Sequence, residues 1–276
     1  MSVITAADVA RLRRVTGAGM MDCKKALEEA EGNFDKAIEI IRKKGQAIAN
    51  KRADREASEG VVLSKVTSDG RTGMMIALNC ETDFVAKNEE FVKFAYSILD
   101  KALESGSKSI EEVLALQLNG NTVAEKIIEQ IGIIGEKIEL SYFTRIDAEH
   151  VQPYIHPGNK LATMAGFNKS EIDNQVYKDI AMQIAAMNPV SIDKDDVTAA
   201  TLASEMDIAR EQARREGKPE AMLEKIAEGK LNKFFKESTL LNQEFVKDNK
   251  MTIRQYLQSA DKDLTIKSFA RFTLNL

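Results

Sequence analysis

Apolar and polar positions along this chain repeat with two different periods, and the change of period divides it. Up to residue 44 the spacing is helical. Thr5 followed by Asp8 forms a capping box ahead of Val9 and Leu12, Cys23, Ala26, Leu27 and Ala30 give a second stripe, and Phe34, Ala37, Ile38 and Ile41 repeat at i, i+3, i+4, i+7. Gly32 and Gly45 stand where helix C-termini want a left-handed residue, so three short helices are predicted. From Gly60 the period is two. Residues 61–66 and 72–79 flank the turn Ser68-Asp69-Gly70-Arg71 as a hairpin, and Met74-Met75-Ile76-Ala77-Leu78 is a buried strand. Phe91, Phe94, Ala95, Ile98, Leu99, Ala102 and Leu103 then define a helix that begins near Asn88, a good N-cap residue. Two further helices fit at 109–118 and 121–132.

A second round of the same plan follows, with strands at 138–146, 151–156 and 160–167 and a helix at 171–188 striped by Val176, Ile180, Ile184 and Met187. Its strand-to-helix turn, Asn168-Lys169-Ser170, has nothing apolar to insert elsewhere. Between 197 and 236 the stripe narrows to Leu202, Met206, Ala209 and Ala213, breaks at Gly217-Lys218-Pro219, and resumes with Met222 or Leu223, Ile226 and Leu231. A narrow seam folded back on itself, with charges on the other faces, predicts a two-helix antiparallel coiled-coil arm. At the end, Ala270, Phe272, Leu274 and Leu276 alternate with Phe269, Arg271 and Thr273 as a closing strand. The expected fold class is α+β. It comprises a three-helix N-terminal module (1–45), a linker (46–59), a two-half core of antiparallel sheets covered by helices (60–137 and 138–276), and the coiled-coil arm at 197–236 on the second half.

The segment from Asn79 to Asn88 joins strand to helix and places an acid, Asp83, beside an aromatic, Phe84. A connection runs over the surface, which would expose Phe84; equally, such a ring can tuck under the helix start as a staple, with Asp83 a solvated charge or cap. Met20 and Met21 are adjacent, so one helical stripe cannot bury both: either at least one faces outward as an adaptable apolar contact for a partner helix, or both fill irregular gaps in a small core. Thr16-Gly17-Ala18-Gly19 lacks the spacing and the Lys-Ser/Thr ending of a phosphate loop and is expected to be a tight interhelical turn.

Composition narrows the function. The net charge of −4 argues against the chain as a whole binding nucleic acid. The two cysteines, Cys23 and Cys80, sit in apolar patterns as buried thiols of a reducing compartment. The N-terminus has no basic-then-apolar leader and no apolar run approaches membrane-spanning length, so a cytoplasmic protein that does not enter membranes is expected. His150 and His156 are the only histidines, and neither a metal-ligand cluster, a dinucleotide fingerprint nor a nucleophile elbow is found, so no enzyme chemistry, cofactor or metal is expected. Acid pairs such as Glu89-Glu90 and Asp195-Asp196 sit at helix starts, where the dipole accounts for them. On these grounds alone the chain is a non-catalytic adaptor or scaffold that binds helices or RNA.

Two long motifs change that reading. Asn79-Cys80-Glu81-Thr82-Asp83-Phe84-Val85-Ala86-Lys87 resembles the signature of the elongation factor Ts family, the nucleotide exchange factors of the translational GTPase elongation factor Tu. Arg13-Arg14-Val15-Thr16-Gly17-Ala18-Gly19-Met20-Met21-Asp22-Cys23-Lys24-Lys25-Ala26-Leu27 resembles the family's N-terminal motif, and Leu241-Asn242-Gln243-Glu244-Phe245-Val246 matches a later pattern more loosely. The resemblance implies that residues 1–45 are similar to a ubiquitin-associated module. It also implies an elongation factor Tu partner, GDP-bound or nucleotide-free, with no direct nucleic-acid contact and with a dimer of heterodimers left open. Thr82, Asp83, Phe84 and Val85 would enter the G domain beside its Mg²⁺ site, with Phe84 as an apolar wedge. Arg13, Met20 and Met21 would grip another G-domain helix, and His156 would help the second half hold a separate domain. Around His156 the match weakens: Lys160 stands where the family commonly has arginine and cannot reproduce its bidentate geometry. Gln183 follows Met182 where the family often has histidine, and is given no role. The chain ends without the extra C-terminal helix that some family members have.

Overall fold

The structure, a computed structural model, describes residues 4–274. Three helices open the chain: α1 (Ala6–Thr16), α2 (Met20–Glu29) and α3 (Phe34–Arg52). Thr5 caps α1 through the expected capping box with Asp8. The three enclose their own small core of Val9, Leu12, Ala18, Cys23, Ala26, Leu27, Ala30 and Ala37. Gly32 takes the left-handed conformation after α2, its N–H bonded to the Leu27 carbonyl. Gly45 does not cap anything. It lies buried inside α3, which runs on to Arg52, because the Ala-, Lys- and Arg-rich sequence favours helix and Ile48 and Ala49 pack on the core that follows.

Next come β1 (Glu59–Val66) and β2 (Thr72–Cys80), a one-turn helix α4 (Asp83–Ala86), and α5 (Glu89–Ser105). Short elements follow: α6 (Ile110–Ala115), the two-residue strands β3 (Gln117–Leu118) and β4 (Asn121–Thr122), and α7 (Val123–Ile134). Then come β5 (Glu139–Asp147), β6 (His150–Ile155), β7 (Leu161–Phe167) and α8 (Asn174–Met187). The remainder is α9 (Ala199–Arg215), α10 (Leu223–Ser238), β8 (Glu244–Phe245), β9 (Asp248–Thr252), α11 (Ile253–Ala260) and β10 (Ile266–Thr273). Leu276, expected on the closing strand, lies outside the described residues.

Two three-stranded antiparallel sheets form the core, in the orders β1-β2-β5 and β10-β7-β6. The strand expected to begin the second round, β5, thus pairs with β2 of the first sheet. Met74, Ile76, Leu78 and Cys80 point to one face of β2, against Phe91, Ala95, Ile98 and Leu99 of α5 and Ile127 and Ile131 of α7. Met75 and Ala77 point to the other, against Val151, Ala162 and Met164 of the second sheet. A central strand buried on both faces needs a partner on each edge, and β1 supplies only one of them. On the far side, Ala165 and Phe167 of β7 pack on Tyr177, Ile180 and Ile184 of α8 and on Ile253 and Leu257 of α11. The layers therefore run helix, sheet, sheet, helix.

The chain from 199 to 238 forms a helical hairpin whose seam buries Ala209 and Ala213 of α9 and Leu223 and Ala227 of α10, while Met222 is exposed. Arg210 bridges its two helices by a forked pair of bonds to Glu224, both 2.9 Å. Gln183 and Gln243, both buried, tie down its root. Gln183 donates to the Gln243 side-chain oxygen (3.2 Å), and Gln243 donates to the Glu237 carbonyl (2.9 Å). Gln183 acts here as a satisfied core polar group.

Candidate functional site

β2 ends at the buried Cys80, whose thiol donates to the Thr82 carbonyl (3.2 Å), and the chain reaches the surface just beyond it. Thr82 is extended and caps α4, and one helical turn follows, closed by Ala86 N–H to Thr82 O (3.2 Å) and Lys87 N–H to Asp83 O (3.0 Å). Asn88 then accepts from the Glu90 amide (2.8 Å) and starts α5. In so short a helix the inward face is fixed by its packing: Ala86 is buried and Val85 leans on the first core. Phe84, on the opposite side, is 83% exposed. Of the two readings open for this ring, staple or exposed aromatic, the structure has the exposed one.

Four residues of helix are too few to hold themselves. This turn is instead cross-braced by two carboxylates. Glu136, just past the Gly135 cap of α7, accepts from the Glu81 amide (3.2 Å), the Thr82 amide (3.0 Å) and the Thr82 hydroxyl (2.7 Å). Glu81 reciprocates by accepting from the Lys137 amide (2.7 Å) and is paired with Arg52 (2.7 Å) and Arg55 (3.5 Å). Burial works to raise the Glu81 pKa, but the Lys137 amide and the two guanidinium groups outweigh it and hold the carboxyl below its ordinary range. Lys87 donates to Asp83 (2.6 Å) and lowers its pKa, so Asp83 presents a carboxylate beside the ring. Glu136 and Arg52 were not legible as site residues, since they lie just past a helix or at its end, outside any motif, and Glu81 lies inside the quoted motif but had no role assigned.

Arg13 is exposed in the last turn of α1, its carbonyl accepting from the Gly17 cap. Met20 and Met21 open α2 at 42% and 64% exposure, and Val15 beside them is also exposed. These residues cluster around the tight α1–α2 turn. Next to it a cleft of about 500 Å³ runs along the crossing of α3 and α7, lined by Ile41, Ile128 and Ile133 together with Arg42 and Lys126. His156 is exposed at the end of β6, where its Nδ1 and the Tyr154 hydroxyl share a hydrogen bond of 2.9 Å. The β6–β7 turn leans on β1: the Asn159 carbonyl accepts from the Val62 amide (2.6 Å), and Lys160 pairs with Glu59 (2.8 Å), the residue opposite Cys80. Because Cys80 leads directly into the Phe84 turn, this pairing sets the His156 turn and the Phe84 turn at one end of the first sheet.

A family model described as "Elongation factor TS" matches residues 81–275. Among curated proteins, the elongation factor Ts of Porphyromonas gingivalis is 54% identical over 273 residues, covering 99% of this chain and 98% of that one. That of Flavobacterium psychrophilum is 50% identical over 275 residues, covering 99% and 100%. That of Cytophaga hutchinsonii is 50% identical over 278 residues, covering 100% of each. No helix among the described residues is long and apolar enough to cross a membrane.

Proposed function

This chain belongs to the elongation factor Ts family, and we propose that it is the guanine nucleotide exchange factor of elongation factor Tu, working in the cytoplasm. It binds the GDP-bound GTPase, promotes release of GDP and stabilises the nucleotide-free form. The observation that carries this reading is Phe84, a large apolar ring held in solvent beside a carboxylate on a braced turn.

GTPases hold GDP through a phosphate-cradling loop and a Mg²⁺ ion whose ligation depends on nearby switch elements. A factor that binds the nucleotide-free form more tightly must weaken nucleotide binding by the same ratio. Phe84 is the wedge that inserts between partner helices next to the Mg²⁺ site, and Asp83 is the adjacent polar contact. Thr82 and Val85 shape the turn, one as its cap and the other as its anchor. Burying a Phe side chain is worth about 1.5–3 kcal/mol, roughly tenfold or more in affinity. Because the turn is already ordered, little of that gain is lost to ordering it on binding.

The helices α1–α3 act as a ubiquitin-associated-like module whose Arg13, Met20 and Met21 grip a second G-domain helix. His156 contributes to a contact of the second half with a separate domain of the GTPase, and the α9–α10 hairpin is a coiled-coil arm. The test is release of a fluorescent GDP analogue from elongation factor Tu, with the wild type and with Phe84→Ala. Strong acceleration by the wild type and a loss of tenfold or more in the variant is the expected result. No acceleration by the wild type would return the chain to the adaptor class, and equal acceleration by both would remove Phe84 from the mechanism.

A further inference from the structure

We propose that Glu136 is the positioning residue of Phe84. The inference rests on the exchange reading and adds to it a residue that touches no partner yet sets the geometry of the wedge. Glu136 follows the C-terminal end of α7, where a negative charge is unfavourable to the helix dipole, so its presence is not explained by the helix it follows. Its Oε2 takes the two backbone amides that lead into α4 and its Oε1 takes the Thr82 hydroxyl proton. A hydroxyl has one proton to give. With that proton committed to Glu136, the lone pairs of Thr82 face the Val85 amide, which lies 3.5 Å away. Glu136 therefore chooses the orientation in which Thr82 can cap α4, and α4 in turn aims Phe84 outward.

The return bonds make the brace rigid. Glu81 and Lys137 bond in the opposite sense, so residues 81–82 and 136–137 are joined by reciprocal carboxylate-to-amide bonds. Arg52, at the end of α3, holds the same Glu81 oxygen. The helices that form the N-terminal module and the turn that carries Phe84 are thereby fixed to one another, and a partner that grips Met20 and Met21 meets Phe84 at a set angle.

The experiment uses the full chain with Glu136→Ala and Glu136→Gln, each alone and combined with Phe84→Ala. Two properties are read, amide hydrogen exchange of the free protein and acceleration of GDP release from the GTPase. Loss of protection confined to the Glu81, Thr82 and Val85 amides is expected in both single variants, with the rest of the chain protected as in the wild type. In exchange, Glu136→Ala should lose roughly tenfold or more, and adding Phe84→Ala should cost almost nothing further, because both changes disable one wedge. Unchanged protection at 81–85, or losses that multiply in the double variant, would overturn the proposal. Should Glu136→Ala unfold, Glu136→Gln, with one acceptor oxygen and nearly the same volume, carries the same comparison. If the wild type itself fails to release GDP, the exchange reading falls alone, and the amide protection still decides whether Glu136 holds the turn.

Discussion

Gly45 of α3 and Gly132 of α7 touch where the two helices cross: a Cβ on Gly132 would lie 2.8 Å from the Gly45 Cα. The contact is asymmetric, since a Cβ on Gly45 would meet the Ile128 carbonyl at 3.4 Å and the Gly132 Cα at 3.7 Å. Gly132→Ala should therefore push the helices apart and cost about 1–3 kcal/mol. Gly45→Ala should be close to neutral, a tight but tolerable contact being offset by the roughly 1 kcal/mol that alanine gains over glycine in a helix. Urea unfolding of the two variants separates these outcomes, and equal destabilisation by both would contradict the crossing as described.

Phe84 and Phe91 offer a contrast of the same residue type on consecutive helices. Phe91 is fully buried in the first core, so Phe91→Ala should cost about 3–5 kcal/mol. Phe84→Ala should change stability by no more than about 0.5 kcal/mol, the ring having almost nothing to lose on the free protein. Thermal or urea unfolding tests both, and a large loss for Phe84→Ala would mean that the ring packs in solution.

Asp179 of α8 is buried and receives Lys247 (2.7 Å), the Tyr256 hydroxyl (2.8 Å) and Gln175 (2.7 Å). Burial works to raise its pKa, but these partners outweigh it and hold the carboxyl below its usual value. A depressed carboxyl stabilises the fold above its unfolded pKa, near 4, and that stability is lost as pH falls through the folded value. The Tyr256 phenol is pushed up by burial and by Asp179. Its contribution is present below the unfolded phenol pKa, near 10, and is lost as pH rises through the higher folded value. Wild type should thus exceed Asp179→Asn in stability at neutral pH, and the gap should close both toward pH 3 and at strongly alkaline pH. Urea midpoints across that range are the measurement, and a gap independent of pH would exclude the linkage.

Burial pushes the Cys80 thiol up to about 12, and the side chain has no exposed surface. At pH 8 the thiolate, the reactive form, is scarce and shielded. An alkylating reagent should leave Cys80 unmodified in the native protein and modify it fully in denaturant, as read by mass; modification at the native rate of a free thiol would show that the end of β2 opens.

Much of the fold could be read from the pattern of side chains. The hairpin of β1 and β2, the start of α5 at Asn88 and the capping box at Thr5 all lie in short windows where period and cap chemistry agree. What escaped reading depends on partners distant in sequence. Gly45 carries the same glycine signal whether it ends a helix or lets another helix approach, and only α7 decides between them. The 138–146 segment is legible as a strand, but which sheet it joins depends on the unfilled edge of β2. In the site, Phe84 and Asp83 were marked by their motif, whereas Glu136 matters through bonds to Glu81 and Thr82, across more than fifty intervening residues. A single glutamate after a helix announces nothing of this by itself.

The placement of β5 also has a consequence for the order in which the protein is made. β2, apolar on both faces, is synthesised early, yet the strand that closes its second edge is made only after α4, α5, α6 and α7. A chain interrupted before Glu139 would present Met74–Leu78 beside a bare row of N–H and C=O groups, a template for pairing with another copy. The helices around the Phe84 turn thus stand between an aggregation-prone strand and its closure, and a premature stop there should yield a self-associating fragment rather than a smaller folded unit.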